Sequence, residues 1–319
     1  MQRIFKRILL SLGFAACATA AHAGYPDKLI TMVVPFPPGG TSDALARILA
    51  KQVSVSIGKP VIVDNKPGAE GLLAAQDIAK AAPDGYRIAL ATNGNLSALP
   101  AMRKAPPYDP VTDFTPIADI GRYAFFLYVH PSVPAKTFRE FVDYAKANPG
   151  KMTYGTGNNT GVLAFAQVKS MFGIDLLHVP YKGEPPATTD LVAGRLQAMI
   201  GTGAGLPYAN DGKLRTLVAL LPTRSPLAPD VPVLREIGMG DLPVLVWAGI
   251  VGPAGMPKEI VERLNKEFVA AANKPEIKAQ IEHMGFAVTP SKPEAFGAMI
   301  KEQVNAYRKL VQTIGMPLQ

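Results

Sequence analysis

The stretch Val33-Val34-Pro35-Phe36-Pro37-Pro38-Gly39-Gly40-Thr41-Ser42-Asp43 carries an apolar strand into a Pro-Gly turn and opens a helix at its end. The first-turn amides of such a helix have no partner inside it, and the macrodipole leaves that terminus partly positive. A carboxylate or phosphate placed there is stabilised without any Arg or Lys, and the glycines let it approach the main chain. The same residues also suit a plain strand-to-helix turn capped by Thr41, Ser42 or Asp43. A second turn favours the anion reading. Tyr154-Gly155-Thr156-Gly157-Asn158-Asn159-Thr160-Gly161 again puts a small, hydroxyl- and amide-rich bend between a strand and a helix.

Working outward, apolar runs of strand length alternate with amphipathic segments along the whole chain, which predicts an α/β class with mostly parallel sheets flanked by helices. The first half reads as strands over 29–34, 61–63 and 86–92, with helices over 42–53 and 71–81. A Pro-rich loop follows, and then 121–129, long and aromatic, reads as a strand crossing between two bodies. A new series begins after it: helices over 137–147, 160–172 and 187–193, and strands over 152–156, 176–181, 196–200 and 214–221. Residues 244–251 read as a second crossing strand, and the remainder is helical over 258–272, 275–284 and 293–315 around a short strand at 286–289. Two crossings divide the chain into a discontinuous first lobe, 24–123 plus 247–319, and a second lobe, 124–246. Such lobes enclose a cleft and can close over a ligand by rotation about the crossing strands.

If the two turns face each other across that cleft, an anion is held between two helix N-termini. The candidate ligand-binding residues are Phe36, Gly39, Gly40, Thr41, Ser42 and Asp43 from the first turn and Thr156, Gly157, Asn158, Asn159, Thr160 and Gly161 from the second. Asn93, ending a strand beside the cleft, joins them. Asp43, in the first helical turn, is expected to accept backbone N–H bonds and organise the turn more than touch an anion. A nucleotide fingerprint competes for the second turn, since Gly155-x-Gly157 lies between strand and helix. Gly161 comes one residue late for it, and no acid ends the following strand.

The first 23 residues read as an export signal: Arg3, Lys6 and Arg7, an apolar run over 8–18, and an Ala21-His22-Ala23 cleavage site. A lipoprotein reading at Cys17 ranks behind it because Phe14 suits that cleavage poorly. Cys17 is the only cysteine, so the processed chain would have neither disulfides nor thiol chemistry. Losing those three basic residues and no acid takes the net charge from +8 to +5. The remaining Lys and Arg alternate with Glu along helices, as at Lys258-Glu259 and Glu262-Arg263, which is not a nucleic-acid signature. No later segment approaches the ~20 apolar residues of a spanning helix.

With both turns in view the chain resembles the Bug family of extracytoplasmic solute receptors, the binding components of tripartite tricarboxylate transporters. The matching stretches run nearly from end to end: 35–43, Val63-Asp64-Asn65-Lys66-Pro67-Gly68-Ala69, Pro83-Asp84-Gly85-Tyr86, His178-Val179-Pro180-Tyr181-Lys182-Gly183, Asp230-Val231-Pro232 and Pro253-Ala254-Gly255-Met256-Pro257. The resemblance implies a two-lobed, type II-like periplasmic binding protein, a monomer that closes on a small carboxylate and presents it to transporter membrane subunits or a sensor. It implies no catalysis, cofactor or metal. Two departures bear on the ligand. Asn158-Asn159-Thr160-Gly161 is followed by Val162, Leu163 and Ala164 where the family has polar residues, and Gly201-Thr202-Gly203 stands where many relatives carry an Asp. Without that carboxylate, an acid lacking a free amine is the expected guest.

The opposing reading is a secreted α/β hydrolase acting on a small ester or amide. It has little to rest on: His130, His178 and His283 show no metal-ligand spacing, and no G-x-S-x-G elbow surrounds any serine. His178 reads as a structural donor, Lys182 as a solvated lysine, and Trp247 as hinge packing ahead of a cleft wall.

Overall fold

The computed structural model describes residues 24–239 and 244–318; the export signal, with Cys17 and its cleavage site, lies outside them. The chain runs β1 (Ile30–Val34), α1 (Thr41–Ile57), β2 (Val61–Asn65), α2 (Leu72–Ala79), β3 (Arg87–Thr92), β4 (Phe114–Tyr123) and β5 (Phe125–Val129). It continues through α3 (Phe138–Ala147), β6 (Thr153–Thr156), α4 (Asn159–Phe172), β7 (Leu177–Pro180), α5 (Glu184–Val192), β8 (Ala198–Thr202) and β9 (Arg215–Ala219). It then returns through β10 (Trp247–Pro253), α6 (Lys258–Asn273), α7 (Pro275–His283), β11 (Phe286–Ser291) and α8 (Pro293–Thr313).

Two sheets form, ordered β11-β4-β10-β3-β1-β2 and β7-β6-β8-β5-β9. In the first, alternation along β1 assigns the two faces. Ile30, Met32 and Val34 pack with Leu45, Leu49 and Val53 of α1 and Leu264 and Phe268 of α6. Val33 points the other way, into a cluster with Ala74 and Ile78 of α2 and Phe296 and Ile300 of α8. That period of two, on a strand buried on both faces, is what a helix-sandwiched sheet requires. The second sheet has α3 and α4 on one face through Phe141 and Phe165, and α5 on the other through Ala187 and Leu191.

The sheets are mixed where the strand–helix alternation predicts mostly parallel pairing. β1 pairs in parallel with β2 and β3, and β6 with β7 and β8. β10 and β4 pair antiparallel in the first sheet, and β5 pairs antiparallel with β8 and β9 in the second. The cause is the crossing itself: β4 leaves the first sheet toward the second and β10 comes back from it, so the two run in opposite directions. The predicted crossing strand at 121–129 is two strands, broken at Ala124, with β4 beginning seven residues before the prediction. Pro116 hides that start, and it sits at an irregularity in the β4–β10 register. The two crossings are tied by Tyr123 N–H donating to Val246 O at 2.9 Å. Trp247 is fully buried in β10, edge-on to Phe296 at 5.3 Å, and serves as first-sheet packing.

Candidate functional site

The carboxyl ends of β1, β3, β6 and β8 meet between the two sheets, where ligands of open α/β sheets bind. Both turns singled out in the sequence open there. Gly40 is the N-cap of α1 and offers no side chain, so the first amides of α1 have no capping acceptor. Gly39 holds φ at +88, a left-handed conformation that glycine adopts without strain. Behind the turn, Asp43 Oδ2 accepts from Gly39 N–H at 3.0 Å, and Oδ1 accepts from Asn65 Nδ2 at 2.9 Å. Asn65 Nδ2 also donates to Phe36 O at 3.0 Å, and Arg47 pairs with Asp43 at 3.0 Å. Burial pushes the Asp43 carboxyl up, but hydrogen bonds from Arg47, Gly39 and Asn65 outweigh it and hold it below the usual carboxylate range. Asp43 thus braces the turn from outside the cavity.

Opposite, Asn158 caps α4 by accepting from Gly161 N–H at 2.8 Å. The lobes touch at several points. Thr41 Oγ1 lies 2.7 Å from Thr202 Oγ1, and Asn93 Nδ2 donates to Thr160 Oγ1 at 2.7 Å and to Tyr307 OH at 2.6 Å. Asn159 Nδ2 donates across to Gly94 O at 3.1 Å.

Between the turns lies a cavity of about 40 Å³. Of the candidate residues, Phe36, Gly40, Thr41, Ser42, Asn93, Gly157, Asn158 and Thr160 line it. Gly39, Asp43, Thr156, Asn159 and Gly161 do not. Gly39 and Asp43 are engaged with each other, Thr156 Oγ1 is bound to His178 Nε2 at 2.5 Å, Asn159 reaches the other lobe, and Gly161 backs onto Ile200 O.

The wall also includes residues that sequence reasoning missed: Thr92, Gly94, Tyr123, Phe125, Glu184, Pro185, Thr202 and Val246. Tyr123 OH is 2.7 Å from Ser42 Oγ. Glu184 Oε1 accepts from Thr202 N–H at 2.6 Å and from Thr202 Oγ1 at 3.0 Å, so Thr41 is the donor in the Thr41–Thr202 pair. The expectation of no carboxylate beside Gly201-Thr202-Gly203 is corrected here, because α5 supplies one from a different element. The signal was present in Gly183-Glu184-Pro185-Pro186, where prolines at the first helical positions start α5 three residues before the predicted 187.

Among the described residues the wall includes no Lys, Arg or His. Burial pushes Glu184 up to about 7 against its two Thr202 hydrogen bonds, and burial likewise drives Tyr123 well above its usual value. Ser42 has a tyrosine as hydroxyl partner, which gives no general base for the hydrolase reading. Among the described residues no group of three His, Cys, Asp or Glu could hold a metal, and no helix is long and apolar enough to cross a membrane.

The family model described as "Tripartite tricarboxylate transporter family receptor" matches residues 45–316. A relative from Cupriavidus necator, "UPF0065 protein in gbd 5'region", is 34% identical over 315 residues, covering 96% of this chain and 94% of its own. The periplasmic binding protein BugD superposes with a TM-score of 0.88 at 31% identity, over 92% of this chain and 100% of its own. R. palustris Rpa4515, solved with adipate, superposes at 0.87 with 30% identity, over 91% and 98%. The two-sheet architecture is accordingly that of periplasmic binding proteins, and the chain belongs to the tripartite tricarboxylate transporter family of receptors.

Proposed function

We propose that this receptor captures a small organic anion through a carboxylate held between the N-termini of α1 and α4, closes its lobes over it, and delivers it in the periplasm to transporter membrane subunits or a sensor. It acts as a monomer and without catalysis. The observation that carries this reading is the uncapped start of α1 opposite the start of α4 across a cavity whose described wall residues carry no cation. A helix terminus contributes ~0.3–1 kcal/mol to an anion, up to ~2 where partly buried, and a hydrogen bond to a charged group ~1.5–3 kcal/mol. Four such bonds approach the ~8 kcal/mol of a micromolar site before the cost of association is subtracted. A water-sized group needs ~10–15 Å³ in the same measure, so the cavity admits about three, the size of a carboxylate head. The adipate complex of Rpa4515 supports the ligand class.

Mass spectrometry of the small molecule released on denaturing freshly purified protein, followed by calorimetric titration, tests it. A short carboxylic acid is the expected result; release of a cationic or uncharged solute, with no carboxylate binding, refutes it.

A further inference from the structure

Among the described residues Glu184 is the one acidic side chain on the cavity wall, and no basic side chain accompanies it there. Both hydrogen bonds it accepts, from Thr202 N–H and Oγ1, fall on Oε1. Oε2 has no protein partner among the described residues. Thr202 Oγ1 in turn receives Thr41 at 2.7 Å, so the Glu184 carboxyl stands one hydroxyl away from the uncapped terminus taken above as the seat of the guest carboxylate. Two carboxylates this close, with no cation between them, cannot both stay ionised without strong repulsion. A proton on Oε2 removes the repulsion and turns that oxygen into a donor.

We propose, on the reading that the cleft takes a carboxylate, that Glu184 is a specificity-determining residue: it carries a proton in the complex and donates a hydrogen bond from Oε2 to the guest carboxylate, favouring plain carboxylic acids over amino acids. One proton is taken from solvent per guest, and no covalent bond in the guest changes. Burial already places the free carboxyl at about 7, so that proton is inexpensive near neutral pH. The titratable groups whose fields reach Glu184 are Tyr123 on β4 and Tyr128 on β5, both kept protonated by burial. Gly201 of β8 and Gly157 before α4 pack directly against it and bear no charge. Asp43 of α1 is taken up by Arg47 and Asn65, and Lys182, two residues before Glu184, is exposed.

The test is titration calorimetry of the processed protein with succinate, adipate and aspartate between about pH 6 and 9, in two buffers of different ionisation enthalpy. Affinity for succinate or adipate is expected to fall by up to about tenfold per pH unit above about pH 7, with close to one proton taken up at the alkaline end. Glu184→Gln, a neutral donor of the same shape, is expected to flatten that profile near the wild-type acid limit, and aspartate to bind more weakly than succinate. Succinate or adipate binding that is flat in pH without proton uptake overturns the proposal and leaves the carboxylate reading standing. Tightest binding of aspartate, lost in Glu184→Gln, does the same and makes Glu184 an ammonium acceptor. If no carboxylate binds at any pH, the receptor reading falls and the proposal with it.

Discussion

Gly183 allows lobe closure to be tested without disturbing the interior of either lobe. It precedes α5 at φ 176 and ψ 175, extended backbone open to any residue. A Cβ there would nonetheless sit 2.5 Å from both Cδ and Cγ of Pro37 on the other lobe, with Pro185 Cδ next at 3.8 Å. Carbon atoms rest ~3.5–4.0 Å apart, so Gly183→Ala requires the two sides to separate by about 1 Å or more. The proline ring cannot rotate away, and relief comes from the lobes moving apart. That separation breaks the Thr41–Thr202 and Asn93–Thr160 bonds, each 2.7 Å long. At ~0.5–1.5 kcal/mol apiece, the closed form loses ~1–3 kcal/mol against the open one, or about 5- to 150-fold in apparent affinity. The open form meets no clash, so the melting temperature of the free protein should stay within about 2 °C of wild type. Calorimetric titration with a short dicarboxylate and small-angle scattering with and without it read both quantities. Pro37→Ala in the same background removes the colliding atoms and should restore affinity, a coupling that a double-mutant cycle isolates. If the Gly183→Ala variant binds and compacts as wild type does, the lobes do not close along this contact and the reasoning fails.

Asp43→Ala removes the acceptor that holds Gly39 N–H and should lower stability to urea by ~1–3 kcal/mol while weakening ligand binding. Asp43 and Asp77 both lie below the usual carboxylate range; for Asp77, burial raises the pKa, and bonds from Lys66 and Arg87 outweigh it. A folded-state pKa below the unfolded one stabilises fully above about pH 4 and loses that contribution as pH falls through the depressed value. Urea midpoints should therefore drop in that acid window, and less so for Asp43→Asn. Asn93→Ala deprives the buried Tyr307 hydroxyl of a donor within the first lobe and Thr160 of one across the cleft. It should cost ~1–3 kcal/mol in the free protein as well as affinity, whereas Thr160→Val should mainly affect affinity; equal melting temperatures for the two variants would contradict this placement.

The residues alone determined the α/β class, the two crossings and the two strand–turn–helix bends, because each rests on local signals. The alternation of Ile30, Met32 and Val34 with Val33 marks a strand buried on both faces, and Leu45, Leu49 and Val53 recur at helical spacing. Gly39 marks the turn before α1 through the left-handed conformation, φ +88, that glycine adopts without strain. β4 was only partly legible, since Pro116 disguised a strand whose register it interrupts. Tertiary structure alone decided the chemistry of the wall. Tyr123 and Phe125, Glu184, Thr202 and Val246 come from four separate stretches of the chain, and only the folding of the β4–β5 crossing, α5, β8 and the return to β10 brings them to one cavity. Thr202 looked like an absence of charge in sequence, yet the start of α5 sets a carboxyl against it at 2.6 Å. Local propensity reports what a segment does to its own backbone; which groups share a low-dielectric pocket, and therefore which protons they keep, is set by packing between segments far apart in sequence.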